Sequence, residues 1–154
     1  MSCLKERFDR LRAAYPAEMA SSLVLPLLHL MQREKGHLTE SDALHIADYL
    51  GVPAMQVKEA LTWYTMFHRK PVGRHVIKVC RNIACSLMGA ERLLGHLAAK
   101  LGIGEGETTA DGRFTLLAVE CLAACGTAPA MQVNDTYHEG LTEEKIDRIL
   151  EELP

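Results

Sequence analysis

The sequence has 154 residues, of which 48% are hydrophobic and 24% are charged, and it carries a net charge of −3. This composition predicts a folded chain of one ordinary domain or two small ones and argues against a disordered tail. No apolar run approaches the ~18–20 uncharged residues of a membrane helix, and no Lys/Arg cluster indicates a nucleic-acid or anionic-lipid binder. The first residues also lack the apolar stretch of a secretory signal, so we expect a cytoplasmic protein that does not insert into a membrane.

The first half of the chain, residues 1–72, is predicted to form a bundle of four helices. Apolar residues at helical spacing indicate a first helix that ends before Pro16, whose ring cannot continue the hydrogen-bond ladder. A second helix is predicted from about Glu18 to Glu34. Because Pro26 lies inside this segment, it is either one helix kinked at the proline or two separate helices.

Capping residues mark the other two helices of this half. Thr39 is typical of an N-cap, with Asp42 at the third helical position, and Gly51 ends the helix. Pro53 can open the fourth helix, because proline is favoured at the first helical position. The short segment Pro71-Val72-Gly73 is then predicted to join the two halves.

The second half, residues 73–154, differs in charge and in the period of its apolar residues. Residues 1–74 carry a net charge of +2 and residues 75–154 a net charge of −5. The predicted elements are a strand at 75–80, a helix at 87–101, a strand at 113–120, hairpin strands at 130–133 and 136–138, and a helix that begins at Thr142. The predicted order is therefore β-α-β-β-β-α.

Four of the five cysteines fall in the second half, in two pairs that each begin where a predicted strand ends. The pattern is C-x4-C, 35 intervening residues and C-x3-C, formed by Cys80, Cys85, Cys121 and Cys125. If the two strands are parallel neighbours joined by the helix, both pairs emerge at the same edge of the sheet. The four sulfurs could then converge on one site.

Several chemistries could use four convergent cysteines. Disulfides are disfavoured because a cytoplasmic compartment keeps thiols reduced, and a redox dithiol is disfavoured because the sequence has no C-x-x-C motif. A structural zinc site and a 2Fe-2S cluster both use four thiolates, and the spacing alone does not separate them.

The residues beside the cysteines are small, which favours the cluster without deciding the question. Small side chains let backbone N–H groups approach the sulfurs and stabilise an added electron, although zinc loops use small residues too. We also expect the helix that follows Cys85 to point its N-terminus at the anionic site. The small neighbours are Ala84, Ser86, Ala123, Ala124, Gly126 and Thr127.

The remaining candidate features favour structural roles. Cys3 is distant in sequence from the other cysteines and is interpreted as a free thiol near the terminus. Trp63, Tyr64 and Phe67 form an aromatic patch that either packs between the two halves or faces a partner. The scattered histidines and the glycines at 102, 104 and 106 match no metal-ligand or phosphate-loop spacing.

Motifs along nearly the whole chain resemble one known family. The C-terminal motifs are Val79-Cys80, Cys85, Gly106-Glu107-Thr108-Thr109, Asp111-Gly112-Arg113-Phe114, Cys121-Leu122-Ala123-Ala124-Cys125-Gly126 and Ala128-Pro129. The N-terminal motifs are Pro26-Leu27-Leu28, Gln32-Arg33-Glu34-Lys35-Gly36, Ala47-Asp48-Tyr49-Leu50-Gly51-Val52-Pro53 and Tyr64-Thr65-Met66-Phe67. Together they closely resemble the thioredoxin-like 2Fe-2S subunit of NADH:quinone oxidoreductase, respiratory complex I.

The resemblance implies a fold and a site. The fold class is α+β, with a partner-docking helical bundle over residues 1–72 followed by a thioredoxin-like α/β ferredoxin domain over residues 73–154. The four cysteines of the second half stand at the family's cluster ligands, which favours the 2Fe-2S cluster over zinc. The sequence departs from the family at Trp63, where phenylalanine is commoner, and at Ala123, where glycine is usual. An alanine at position 123 would be unfavourable compared with glycine only if that position requires a positive φ.

The resemblance also implies partners. Members of the family dock against a larger flavoprotein subunit that carries FMN and the NADH site, in a respiratory complex peripheral to the inner membrane. No dinucleotide fingerprint follows a strand here, so we expect the chain to carry single electrons and not to catalyse alone. The equivalent small subunit of an NAD-dependent formate dehydrogenase or NAD-reducing hydrogenase shares these motifs. A zinc-stabilised binding module is the alternative of a different class.

Overall fold

A computed structural model describes the chain from residue 2 to residue 154, and its side chains from Leu4 onward. The chain forms two compact units, Met1–Pro71 and Val72–Pro154. Among the described residues, no helix has both the length and the apolar character needed to cross a membrane.

The first unit is helical. Its elements are α1 (Ser2–Ala13), a 3-10 helix (Ala17–Leu23), α2 (Val24–Lys35), α3 (Glu40–Leu50) and α4 (Ala54–Trp63). Apolar side chains from all four α-helices share one core, in which Phe8, Leu27 and Ile46 are at most 1% exposed. The predicted helical first half is therefore confirmed.

Of the two forms predicted for the second helical segment, the structure has two separate helices and not one helix kinked at Pro26. A 3-10 helix precedes α2, and Met19 within it has non-helical angles of φ −99° and ψ 24°. Pro26 is the third residue of α2. Backbone N–H groups in the first turn have no acceptor within the helix, so a proline is tolerated there. The break in the helix therefore lies before the proline.

The predicted capping box at the start of α3 is confirmed. The Thr39 side chain accepts from the Asp42 N–H, and the Asp42 carboxylate accepts from the Thr39 N–H at 2.8 Å. Lys35 also donates to that carboxylate, at 2.5 Å. Gly51 follows the helix with a left-handed φ of 67°, which glycine adopts without a steric penalty.

The second unit is an α/β domain built on a four-stranded sheet. Its elements are β1 (His75–Cys80), α5 (Ile83–Leu87), α6 (Ala90–Leu101), β2 (Phe114–Val119), a 3-10 turn (Cys125–Thr127), β3 (Met131–Val133), β4 (Thr136–His138) and α7 (Glu143–Glu152). The strand order is β2-β1-β3-β4, with β1 and β2 parallel and the other pairs antiparallel. The predicted order of strands and helices is confirmed, except that two helices and not one lie between β1 and β2.

The helix predicted over residues 87–101 is wrong at its start. Gly89 has a φ of 90° and separates the short helix α5 from α6, which begins at Ala90. Cys85 lies inside α5, so the helix at this cysteine begins before it and not after it as expected. The predicted end is confirmed, because α6 ends at Leu101.

Helices α6 and α7 contribute to the same core as the sheet. Leu93 and Leu97 of α6 and Ile146 of α7 are at most 1% exposed. They share this core with Ile77 of β1 and Leu116 of β2. Burial of these apolar side chains stabilises the pairing of β1 with β2 and so positions the segments that follow the two strands.

Candidate metal centre

The two cysteine pairs follow the carboxyl ends of neighbouring strands. Cys80 is the last residue of β1 and lies in register with Val119, the last residue of β2. Cys121 comes two residues after Val119. Because the two strands are parallel, both pairs emerge at the same edge of the sheet, as the sequence predicts.

Cys80 is buried and makes backbone contacts on two sides. Its thiol donates to the carbonyl oxygen of Glu120 at 3.2 Å. Its N–H donates to the carbonyl oxygen of Ala130 at 3.1 Å. Ala130 follows the Ala128–Pro129 peptide bond, which is cis. The sulfur therefore lies between the end of β2 and the segment that enters β3.

Cys85 is also buried, with 2% of its surface exposed, on the short helix α5. Asn82 caps this helix by accepting from the Ile83 N–H at 3.0 Å. Burial raises the pKa of the Cys85 thiol and a hydrogen bond with Cys80 raises it further, whereas the Ala130 N–H lowers it. The two buried sulfurs are thus in contact, and metal binding requires that both thiols lose their protons.

The second pair, Cys121 and Cys125, is exposed. Cys125 lies close enough to Cys85 that a thiolate there raises the pKa of the Cys85 thiol. Ala123 has a left-handed φ of 57°, and its N–H donates to the Cys121 sulfur at 3.3 Å. The position at which the family usually has glycine therefore does require a positive φ. The prediction that small neighbours bring N–H groups to the sulfurs is confirmed at Ala123.

The donor set fits a 2Fe-2S cluster. Four thiols at one sheet edge can supply two ligands for each of two irons, and N–H groups of Ala123 and Ala130 face two of the sulfurs. Across the described residues, no group of three or more His, Cys, Asp or Glu side chains is placed to hold one metal ion. The assignment of the four ligands stays a prediction.

Two charged residues beside the cysteines belong to no motif that the sequence analysis singled out. Arg81 follows Cys80 and Glu120 precedes Cys121. Their side chains form an ion pair, with 3.5 Å between Arg81 Nε and Glu120 Oε1. In the sequence, only their position next to candidate ligands could have identified these two residues as part of the site. The contact itself depends on the register of β1 against β2.

Two other sequence candidates have different outcomes. The side chain of Cys3 lies outside the part of the chain that the structure describes. In the aromatic patch, Phe67 is buried in the core of the first unit, whereas Trp63 is 81% exposed. The patch therefore divides into a core residue and a surface residue.

Comparison with known proteins gives a family match for nearly the whole chain. Residues 8–154 match the family model described as thioredoxin-like [2Fe-2S] ferredoxin. The chain is 45% identical over 148 residues to a subunit of the NADH-quinone oxidoreductase of Rhizobium meliloti (strain 1021), covering 96% of this chain and 87% of the relative. It is 43% identical over 140 residues to the corresponding subunit of Rickettsia bellii (strain RML369-C), covering 90% of this chain and 84% of the relative.

A solved structure has a similar fold. The NAD+-reducing [NiFe]-hydrogenase in the H2-reduced state matches with a TM-score of 0.73 and 23% identity, over 85% of this chain. The match covers 22% of the hydrogenase chain. At this level of identity the likeness shows the fold alone.

Proposed function

The chain belongs to the thioredoxin-like 2Fe-2S ferredoxin family, and from this premise we propose that it is a one-electron carrier subunit of an NADH-quinone oxidoreductase. The emergence of both cysteine pairs at one sheet edge is the observation that carries this proposal. Identities of 45% and 43% to subunits of that enzyme from two bacteria support it over most of the chain.

The proposed ligands are Cys80, Cys85, Cys121 and Cys125. When bound, a 2Fe-2S cluster accepts and releases one electron at a time. The chain holds one pair of sulfurs in its core and the other at its surface, and the Ala123 N–H points at one of the exposed sulfurs. A site with this exposure can exchange electrons with a partner that covers it.

The partner that we propose is a larger flavoprotein subunit that binds FMN and NADH. This sequence has no glycine-rich dinucleotide fingerprint after a strand, so removal of hydride from NADH falls to the partner. Near Cys85, the chain exposes the apolar side chains of Ile83, Leu87 and Met88, which are 74%, 81% and 61% exposed. Exposed apolar patches are typical of docking sites. We call these three residues the α5 surface and propose that the flavoprotein covers it.

We also propose that the helical bundle, residues 1–72, docks on the same complex. Helix α4 carries two large side chains that are mostly exposed, Met55 at 64% and Trp63 at 81%. Aromatic residues and methionine are enriched in protein interfaces. The assembled complex would lie on the cytoplasmic face of the inner membrane, with this subunit peripheral to the bilayer.

Spectroscopy of the anaerobically purified full chain tests the proposed function. Spectra before and after dithionite would be recorded, with iron, sulfide and zinc quantified. We expect absorbance that bleaches on reduction, about two irons and two sulfides per chain, and a spin-half EPR signal. A colourless, EPR-silent protein with about one zinc would instead indicate a zinc-stabilised binding module.

Co-purification distinguishes between the enzyme complexes that could contain such a subunit. We expect a flavoprotein and the membrane subunits of a respiratory complex to co-purify with the tagged chain. A molybdenum or nickel-iron subunit in their place would indicate an NAD-dependent formate dehydrogenase or an NAD-reducing hydrogenase.

A further inference from the structure

Arg81 connects the two segments that carry the cysteines. It follows Cys80 directly, and its N–H donates to the carbonyl oxygen of Val119 at 2.9 Å. Its guanidinium nitrogens lie 3.5 Å from a carboxylate oxygen of Glu120 and 3.6 Å from one of Glu105. One cation therefore lies between two carboxylates at the sheet edge where the cysteines emerge.

Glu120 connects this cation to the sulfurs. Its carbonyl oxygen accepts the thiol hydrogen bond of Cys80 at 3.2 Å, and Cys121 is the next residue in the chain. The side chains of Arg81 and Glu120 are 50% and 77% exposed, so their ion pair contributes little to stability. The charges of Arg81 and Glu120 nevertheless interact with any charge added to the neighbouring cysteine site.

One-electron reduction changes the charge of the proposed site. Four thiolates, two sulfides and two ferric ions sum to a formal charge of about −2, and one added electron makes it about −3. A nearby cation favours the more negative state, and a nearby anion disfavours it. Residues 75–154 carry a net charge of −5, so a cation beside the cysteines opposes the prevailing field.

We propose that the charge of Arg81 raises the reduction potential of the four-cysteine site and offsets the charges of the carboxylates of Glu105 and Glu120, with which it pairs. This inference rests on the proposed function, because it requires a bound cluster. By the same reasoning, the charge of Glu120 lowers the potential.

Spectroelectrochemistry of the full-length, cluster-loaded chain tests this inference, with dithionite as the electron donor. At the potential where the wild-type site is half reduced, Arg81→Gln should lower the ratio of reduced to oxidised protein about threefold to tenfold. Glu120→Gln should raise that ratio, and Arg81→Lys should stay close to wild type because it keeps the charge.

Lys100→Gln is the matched control, because it removes the same charge from an ion pair elsewhere in the unit. Lys100 pairs with Asp147 at 2.8 Å. It lies near the end of α6, about 15 Å along the helix axis from the first residue of that helix. We expect the reduction potential of Lys100→Gln to match that of the wild type. We also expect the change in reduction potential caused by Arg81→Gln to become smaller in high salt, because salt screens the charge.

Two results would overturn the inference and leave the proposed function intact. Equal potentials for Arg81→Gln and Lys100→Gln would show that the Arg81 charge does not act on the site. Equal shifts for Arg81→Gln and Arg81→Lys would point to altered loop geometry and not to charge. A wild-type chain that binds no iron would defeat the proposed function and this inference with it, so the two failures are distinguishable.

Discussion

Ala123 donates its backbone N–H to the sulfur of Cys121 at 3.3 Å, and it does so from a left-handed φ of 57°. In this conformation the Cβ of an L-residue lies too close to the following carbonyl oxygen. The steric cost is roughly 1–2 kcal/mol. Backbone strain of this kind is concentrated at functional sites. Here it accompanies a hydrogen-bond donor that faces a proposed cluster ligand.

Ala123→Gly should stabilise the second unit by about 0.5 kcal/mol. Glycine relieves the left-handed strain, and the gain is partly offset by the larger conformational entropy of glycine in the unfolded chain. Ala124→Gly is the matched control and should destabilise the unit, because Ala124 has a negative φ of −108° and glycine relieves no left-handed strain there. Urea unfolding measures both. A loss of stability in Ala123→Gly as large as that in Ala124→Gly would contradict the strain argument.

Serine in place of any one proposed ligand should reduce bound iron to well under about half of the wild-type content, because the softer thiolate sulfur suits iron-sulfur clusters. Iron analysis and visible absorbance of the purified variants measure the effect. Cys3→Ser is the control and should keep its full iron content. A variant such as Cys121→Ser that retains all its iron would remove that cysteine from the ligand set.

The metal-free chain should show two classes of thiol. Cys121 and Cys125 are exposed, whereas Cys80 and Cys85 are buried, and burial raises the pKa of Cys85. The exposed pair should therefore react with iodoacetamide roughly tenfold faster or more, since alkylation needs an accessible thiolate. Mass spectrometry of the labelled peptides measures the rates, and loading with iron and sulfide should protect all four. Equal rates at the four thiols would contradict the observed burial.

Asp42→Ala should destabilise the helical unit by about 1–2 kcal/mol at pH 7, because it removes the capping box of α3. Burial alone would raise the pKa of Asp42, but hydrogen bonds from Lys35 and Thr39 outweigh it and hold the pKa below its ordinary value of 3.8. The ionised carboxylate therefore contributes stability above about pH 3.8, and the contribution is lost as pH falls through the lower folded-state pKa.

The free energies of unfolding of wild type and Asp42→Ala should accordingly converge as the pH falls below about 3.8. Urea unfolding at a series of pH values measures this difference. Asp48→Ala, on the exposed part of the same helix, is the control and should change stability by about 0.5 kcal/mol or less. A difference between wild type and Asp42→Ala that stays constant down to low pH would rule out the charged carboxylate as its source.

Leu87→Glu should weaken binding of the flavoprotein subunit by about tenfold, because docking would bury an unpaired carboxylate on the α5 surface. The affinity of the purified flavoprotein for the cluster-loaded chain measures the effect. Ala99→Glu, which adds the same charge at an exposed site near the end of α6, is the control and should bind as the wild type does. Unchanged binding by Leu87→Glu would remove the α5 surface from the proposed interface.

Features that depend on near neighbours in the chain could be predicted from the sequence. The Thr39 and Asp42 capping box spans three residues, so the two side chains meet as soon as the helix begins. The end of α6 before Gly102 follows from the same local rules. The shared edge of the two cysteine pairs could be predicted only on the condition that the two strands are parallel neighbours, and the structure meets that condition.

Other features were decided only by the tertiary structure. Pro26 lies in the first turn of α2, and the break in the helical segment lies before it, at Met19. The positive φ of Ala123 depends on how the loop closes over the site. The Arg81 and Glu120 pair depends on the register of β1 against β2. Strand register and loop closure bring together residues that are distant in the sequence, and no local pattern specifies which of them will meet.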